Sequence, residues 1–133
     1  MSLFRCPACG RPLVRGERTY RCPGGHCYDI AREGYTYLLP VNQRHSKAPG
    51  DDKAMTAARS AFLSKGYYDF LRHALCALAV TYTPDVPAVL DVGCGEGYYT
   101  AAICEALTAA GKAPRTAGID ISKEMVRRDA KRA

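Results

Sequence analysis

Three cysteines and a histidine near the start of this 133-residue chain stand in a pattern suited to metal binding. Cys6-Pro7-Ala8-Cys9-Gly10 is a Cys-x2-Cys knuckle, and Cys22-Pro23-Gly24-Gly25-His26 supplies a second pair further along. Two such pairs offer four soft or borderline ligands, the set that a closed tetrahedral zinc site needs. Cys27, adjacent to His26, is the alternative fourth ligand; the Cys-x3-His spacing favours His26. Four protein ligands leave no position for a substrate water, so the expected zinc is structural. A redox reading of Cys6 and Cys9 lacks the surrounding βαβ pattern.

A second group of residues suits a different task. Asp91-Val92-Gly93-Cys94-Gly95-Glu96-Gly97 follows the apolar Ala88-Val89-Leu90 and precedes Tyr98-Tyr99-Thr100-Ala101-Ala102-Ile103. That order reads strand, glycine turn, helix. Gly93, Gly95 and Gly97 carry no Cβ, so the backbone there can approach a ligand closely. The segment Thr116-Ala117-Gly118-Ile119-Asp120 reads as the next strand, ending in a carboxylate. An acid at that place can accept hydrogen bonds from both hydroxyls of a ribose. The Gly-x-Gly-x-Gly spacing differs from the Gly-x-Gly-x-x-Gly of nicotinamide enzymes. With its leading acid it looks like the first motif of S-adenosylmethionine (SAM)-dependent methyltransferases. Cys94 lies inside this turn, with no base in sight to make it a nucleophile.

These residues need a scaffold. Around the cysteine pairs, Leu13, Val14 and Tyr20 suit a small hairpin with Tyr28 packing beneath it. So small a segment buries little core, and metal binding is expected to supply much of its folding energy. Residues 41–52 are polar and read as a linker; their Arg44, His45 and Lys47 serve either solvation or phosphate contact. Asp51 or Asp52 is placed to cap a helix that Gly66 ends. Tyr67 and Tyr68 open a second helix, whose apolar face is expected at Phe70, Leu71, Ala74, Leu75 and Leu78, with Asp69, Arg72 and His73 opposite. A helix spanning about Tyr98 to Ala110 should face the sheet through Ile103, Ala106 and Leu107. The boundaries expected are 1–40 for the zinc ribbon, 41–84 for the linker and helices, and 85–133 for the start of the sheet domain.

Composition sets wide limits. A formal charge of +6 and a pI near 9.0 are compatible with nucleic acid or another anionic surface without choosing between them. The chain's start has no signal-like apolar region, and residues 74–80 are too short to span a bilayer. A cytoplasmic protein with no membrane partner is the expectation, and seven cysteines then read as ligands or reduced thiols.

The two cysteine pairs, Asp29 to Pro40, Pro49-Gly50-Asp51, Gly66-Tyr67-Tyr68 and Asp91 to Thr100 together resemble one family, the bacterial 23S ribosomal RNA guanine-N1-methyltransferases. Some of its members give resistance to macrolide antibiotics. The resemblance implies an α/β protein: a small zinc-ribbon-like lobe followed by the first βαβ portion of a Rossmann-like SAM methyltransferase domain. It implies zinc on Cys6, Cys9, Cys22 and His26, and SAM among Gly93, Gly95, Glu96, Gly97 and Asp120, touched by Tyr68. It also implies a homodimer whose zinc lobe helps to bind a 23S rRNA hairpin.

A methyltransferase sheet needs more strands than the two visible here. The chain therefore reads as an amino-terminal fragment of a protein about twice as long, inactive by itself, with its catalytic residues elsewhere. Two alternatives stand beside this reading. One is a non-catalytic zinc-ribbon RNA-binding module; the other is a SAM methyltransferase acting on a protein or small molecule.

Overall fold

The computed structural model describes residues 2–43, 45–46 and 49–131. Arg44 and Lys47 of the polar loop lie outside them. The chain divides into two compact units, Met1–Pro49 and Gly50–Ala133.

The first unit is a three-stranded antiparallel sheet of β1 (Val14–Arg15), β2 (Thr19–Arg21) and β3 (Cys27–Asp29), in the order β1-β2-β3. Its register pairs Tyr20 with Tyr28 and Arg21 with Cys27. Cys6, Leu13, Tyr20 and Cys22 form the core, and Phe4, Tyr28, Ile30 and Leu38 pack against it. Phe4 meets the Tyr20 ring edge-on at 5.9 Å. Val14 and Tyr20 thus lie in the expected hairpin with Leu13 just ahead of β1; Leu13 and Tyr20 are buried, and Val14 points to solvent. Two of the four core residues are cysteines of the knuckles, so the core and the ligand cluster are one object. Val41–Gln43, inside the expected linker, forms a 3-10 turn.

The second unit begins with α1 (Lys53–Leu63) and α2 (Asp69–Tyr82). Asp52 caps α1, its side chain accepting the Met55 N–H at 2.9 Å. Then come β4 (Ala88–Val92), α3 (Tyr98–Ala109), β5 (Arg115–Ile119) and the short α4 (Lys123–Asp129). β4 and β5 pair in parallel, from Ala88 opposite Arg115 to Val92 opposite Ile119. A parallel pair requires a crossover, and α3 provides it. Leu107 is fully buried and Ile103 and Ala106 partly so, as their helical spacing predicts. Among the described residues, no helix is long and apolar enough to cross a membrane.

One expectation about packing changes. The apolar face of α2 is rotated: Leu71 and Leu75 are half-buried, but Phe70, Ala74 and Leu78 are exposed. Arg72, placed on the polar side by pattern, is half-buried instead. The reason is that α2 packs on α3, where Asp69 accepts from the Tyr98 hydroxyl at 2.7 Å and Arg72 lies over the Tyr98 ring. β4 is apolar along its length, as a strand buried on both faces would be. Here Val89 and Asp91 are half-buried while Ala88, Leu90 and Val92 are exposed, because α3 lies against one side of the pair.

Candidate functional site

In the first unit, Cys6, Cys9, Cys22 and His26 each offer a ligand atom, all within 4.8 Å of one another. Gly10, just after Cys9, and Gly25, just before His26, turn the chain there with φ of +68° and +82°. The separations are informative. Zn–S bonds of about 2.3 Å and a Zn–N bond of about 2.0–2.1 Å give tetrahedral edges of roughly 3.8 Å for S···S and 3.6 Å for S···N. Cys9 and Cys22 Sγ are 3.6 Å apart, and His26 Nδ1 lies 3.6 Å from Cys6 Sγ and 3.4 Å from Cys22 Sγ. These residues fit zinc, with Nδ1 as the imidazole donor. Cys27 is exposed on β3 and outside the cluster.

Burial works against ionising Cys6. Hydrogen bonds from the Tyr28 hydroxyl and from the backbone of Ala8 and Cys9 outweigh it and hold the thiol down at about 6. The same bond pushes the Tyr28 phenol up to about 12. Nothing in the sequence pattern marked Tyr28 as a neighbour of the ligands.

In the second unit the glycine turn folds over the ends of β4 and β5. Gly93 and Cys94 N–H both donate to the Ile119 carbonyl, at 2.8 and 3.1 Å. Asp91 accepts from the Thr100 hydroxyl at 2.5 Å, tying the end of β4 to the first turn of α3. Asp120 binds the turn from the other side. One of its oxygens accepts the Gly95 N–H at 2.9 Å and the other accepts the Ser122 N–H at 2.7 Å. A carboxylate has about four acceptor sites, so two remain for a ligand.

Beside this turn lies a cleft of about 530 Å³ lined by five of the residues picked from sequence: Tyr68, Gly93, Gly95, Glu96 and Asp120. A Cβ at Gly93 would enter open space, and one at Gly95 would meet only Met125 Sδ at 4.0 Å. The backbone is therefore bare toward the cleft, and the volume is ordinary for a small-molecule site. Gly97 is not among the lining residues. Its φ of +78° starts α3, and a Cβ there would run into the Asp129 carboxylate, so it serves packing. The aromatic side of the cleft was not legible as a unit: Phe62 from α1 meets the Tyr68 ring at 5.8 Å. Arg59, paired with Asp51 at 2.9 Å, brings positive charge to the lining.

Cys94 is not a nucleophile at neutral pH. It is 6% exposed, and burial together with the carboxylates of Asp129, Asp120 and Asp91 pushes its thiol up to about 12.

Comparison with known proteins agrees with both halves of this picture. Residues 4–47 match the zinc-ribbon family described as RlmA, N-terminal, and residues 86–133 match a methyltransferase domain. The chain is 38% identical to a putative 23S rRNA (guanine-N(1)-)-methyltransferase of Micromonospora griseorubida, over 96% of this chain and 47% of that protein. It is 38% identical to the 23S rRNA (guanine(748)-N(1))-methyltransferase of Streptomyces fradiae, over 96% of this chain and 44% of that protein. It is 34% identical to the putative methyltransferase YxjB of Bacillus subtilis, over 92% and 44%. The chain thus spans a little under half the length of the curated relatives it matches. The matched families carry the two cofactors expected from sequence, zinc in the ribbon and SAM in the methyltransferase domain. With an RlmA-type ribbon ahead of a methyltransferase domain, this chain is similar, over nearly its whole length, to the amino-terminal part of proteins named 23S rRNA (guanine-N1)-methyltransferases.

Proposed function

We propose that this protein takes part in SAM-dependent methylation of N1 of a guanine in 23S ribosomal RNA. The observation that carries the reading is the cleft in which Tyr68, Gly93, Gly95, Glu96 and Asp120 converge. SAM supplies an activated methyl group on a sulfonium. The chain's own residues bind and orient it. The remaining acceptor sites of Asp120 take the ribose hydroxyls. Bare backbone at Gly93 and Gly95 allows close approach, and the Tyr68 ring covers the ligand. Glu96, 4% exposed, faces the cationic methionine end, and Arg59 offers its carboxylate a partner. Methyl transfer to a ring nitrogen is an in-line displacement, so this fixed geometry is the chain's contribution to rate.

The domain reading is likewise ours: zinc ribbon at 1–40, linker and helices at 41–84, cofactor domain from 85. Cys6, Cys9, Cys22 and His26 hold one structural zinc, and the ribbon recognises an rRNA hairpin, favoured by the chain's +6 charge. N1 lies on the Watson–Crick edge, so the target guanine is in a loop or flipped. The working protein is a cytoplasmic homodimer.

The test is genetic. Deleting the gene should remove one reverse-transcription stop at an N1-methylguanine of 23S rRNA, and resupplying only these 133 residues should not restore it. A pattern of stops unchanged by the deletion would refute the proposal.

A further inference from the structure

We infer that Tyr28 is a positioning residue of the metal centre, donating its hydroxyl hydrogen to the Cys6 sulfur. The inference rests on the Cys3His zinc reading and extends it to a fifth residue. Tyr28 Oη lies 3.2 Å from Cys6 Sγ. A sulfur that binds zinc has lost its proton, so the phenol must be the donor.

The three sulfurs differ in their access to water. Cys9 is exposed, whereas Cys6 is 1% exposed and Cys22 is 7% exposed. Three thiolates and a neutral imidazole around Zn²⁺ leave one net negative charge on the site. Water can solvate the share carried by Cys9. It cannot reach Cys6, so hydrogen bonds must meet that charge, and the Tyr28 hydroxyl adds to those from the Ala8 and Cys9 backbone. The sulfur most shut off from solvent is the one that faces the tyrosine hydroxyl.

Strand register fixes that hydroxyl in place. Tyr28 sits at the centre of β3, directly opposite Tyr20 of β2, and its ring packs on the core that contains Cys6. The donor is therefore placed by the same small sheet whose core contains the Cys6 sulfur. Outer-shell partners of this kind orient first-shell ligands.

The test compares Tyr28→Phe with Tyr20→Phe in the whole chain. Each removes one phenolic oxygen from the same sheet and keeps the ring. Zinc affinity is measured by competition with a chromophoric chelator. Cobalt replacement gives a second readout through the sulfur-to-metal charge-transfer band. Tyr28→Phe should weaken zinc binding by about 10–100-fold, the range for outer-shell partners, and shift the cobalt band. Tyr20→Phe should do neither. Equal zinc affinity in Tyr28→Phe and the unsubstituted chain would overturn the assignment. So would equal losses in both variants, which would mark a general loss of stability. An unsubstituted chain that binds no zinc would overturn the Cys3His reading along with it.

Discussion

In the first unit four ligand atoms lie within 4.8 Å of one another, beside a core of Cys6, Leu13, Tyr20 and Cys22. In the second unit β4 has a single strand partner among the described residues, and Leu90 and Val92 are 58% and 73% exposed. The ribbon draws its organising centre from residues close together in sequence and lets a metal replace most of a core. The methyltransferase unit draws its centre from distant stretches: Asp51, the turn after β4, and the loop after β5. It is held by backbone hydrogen bonds to Ile119 and Asp120 rather than by bulk burial. A ligand cluster is thus sensitive to one atom, and a turn clamped from several sides is sensitive to backbone shape.

The strongest way to break this contrast is to remove a zinc ligand. Structural zinc contributes about 10–16 kcal/mol in zinc-finger peptides, far more than this small core supplies. Cys22→Ser or His26→Ala should lose the metal and the slow amide exchange of the β1–β3 sheet, with the helices of the second unit still protected. Cys27→Ala should keep both zinc and protection. A ribbon that stays protected without metal would end the argument.

Gly97→Val probes the other unit. The left-handed conformation costs a branched residue about 1–2 kcal/mol, and overpacking against Asp129 adds about 1–3 kcal/mol. Urea unfolding of the second unit should shift accordingly, while zinc content stays unchanged. Loss of zinc in this variant would mean that the two centres are not independent.

Asp120→Ala should cost somewhat less, about 1.5–3 kcal/mol, by removing an ionised acceptor from the Gly95 and Ser122 N–H groups. In the methyltransferase reading the same change weakens SAM binding. Calorimetry showing normal affinity would separate the clamp from the ribose contact and leave only the clamp.

The smallest effect concerns Cys94. Its thiol is raised from 9.0 to about 12, chiefly by burial, so the folded unit holds its proton where the unfolded chain has lost it. Stability from this group is complete below about pH 9 and fades as pH rises toward 12. At pH 8, alkylation followed by mass spectrometry should label the exposed Cys27 first and Cys94 last. The reverse order would put a reactive thiol back in the glycine turn.

Much of this was legible in the chain itself, for a physical reason. Zinc ligands declare themselves by residue type and short spacing, and Gly93, Gly95 and Asp120 by their place in a strand–turn–helix–strand order. Tyr28 was not legible as a donor, because its position depends on the Tyr20–Tyr28 register. Arg59 and Phe62 reach the cleft only through the way α1 packs. The face of α2 was misread because Phe70, Ala74 and Leu78 make as regular a stripe as the residues that α3 covers. Periodicity states that a helix has an apolar side, and only the partner decides which residues lie on it.

Gly50 has a consequence for anyone who splices such proteins. Its φ is +83°, and a Cβ on it would come within 2.8 Å of Ser122 Cβ. Ser122 also donates its hydroxyl to the Asp51 carbonyl at 2.8 Å and caps α4. The Gly50-Asp51 step is thus a fastening for the loop that carries Asp120, although it lies far ahead of the glycine turn in sequence. A chimera that exchanges ribbons between relatives must place its joint before Gly50. A joint two residues later would carry the ribbon across intact and replace the two residues that pack on and hydrogen-bond Ser122.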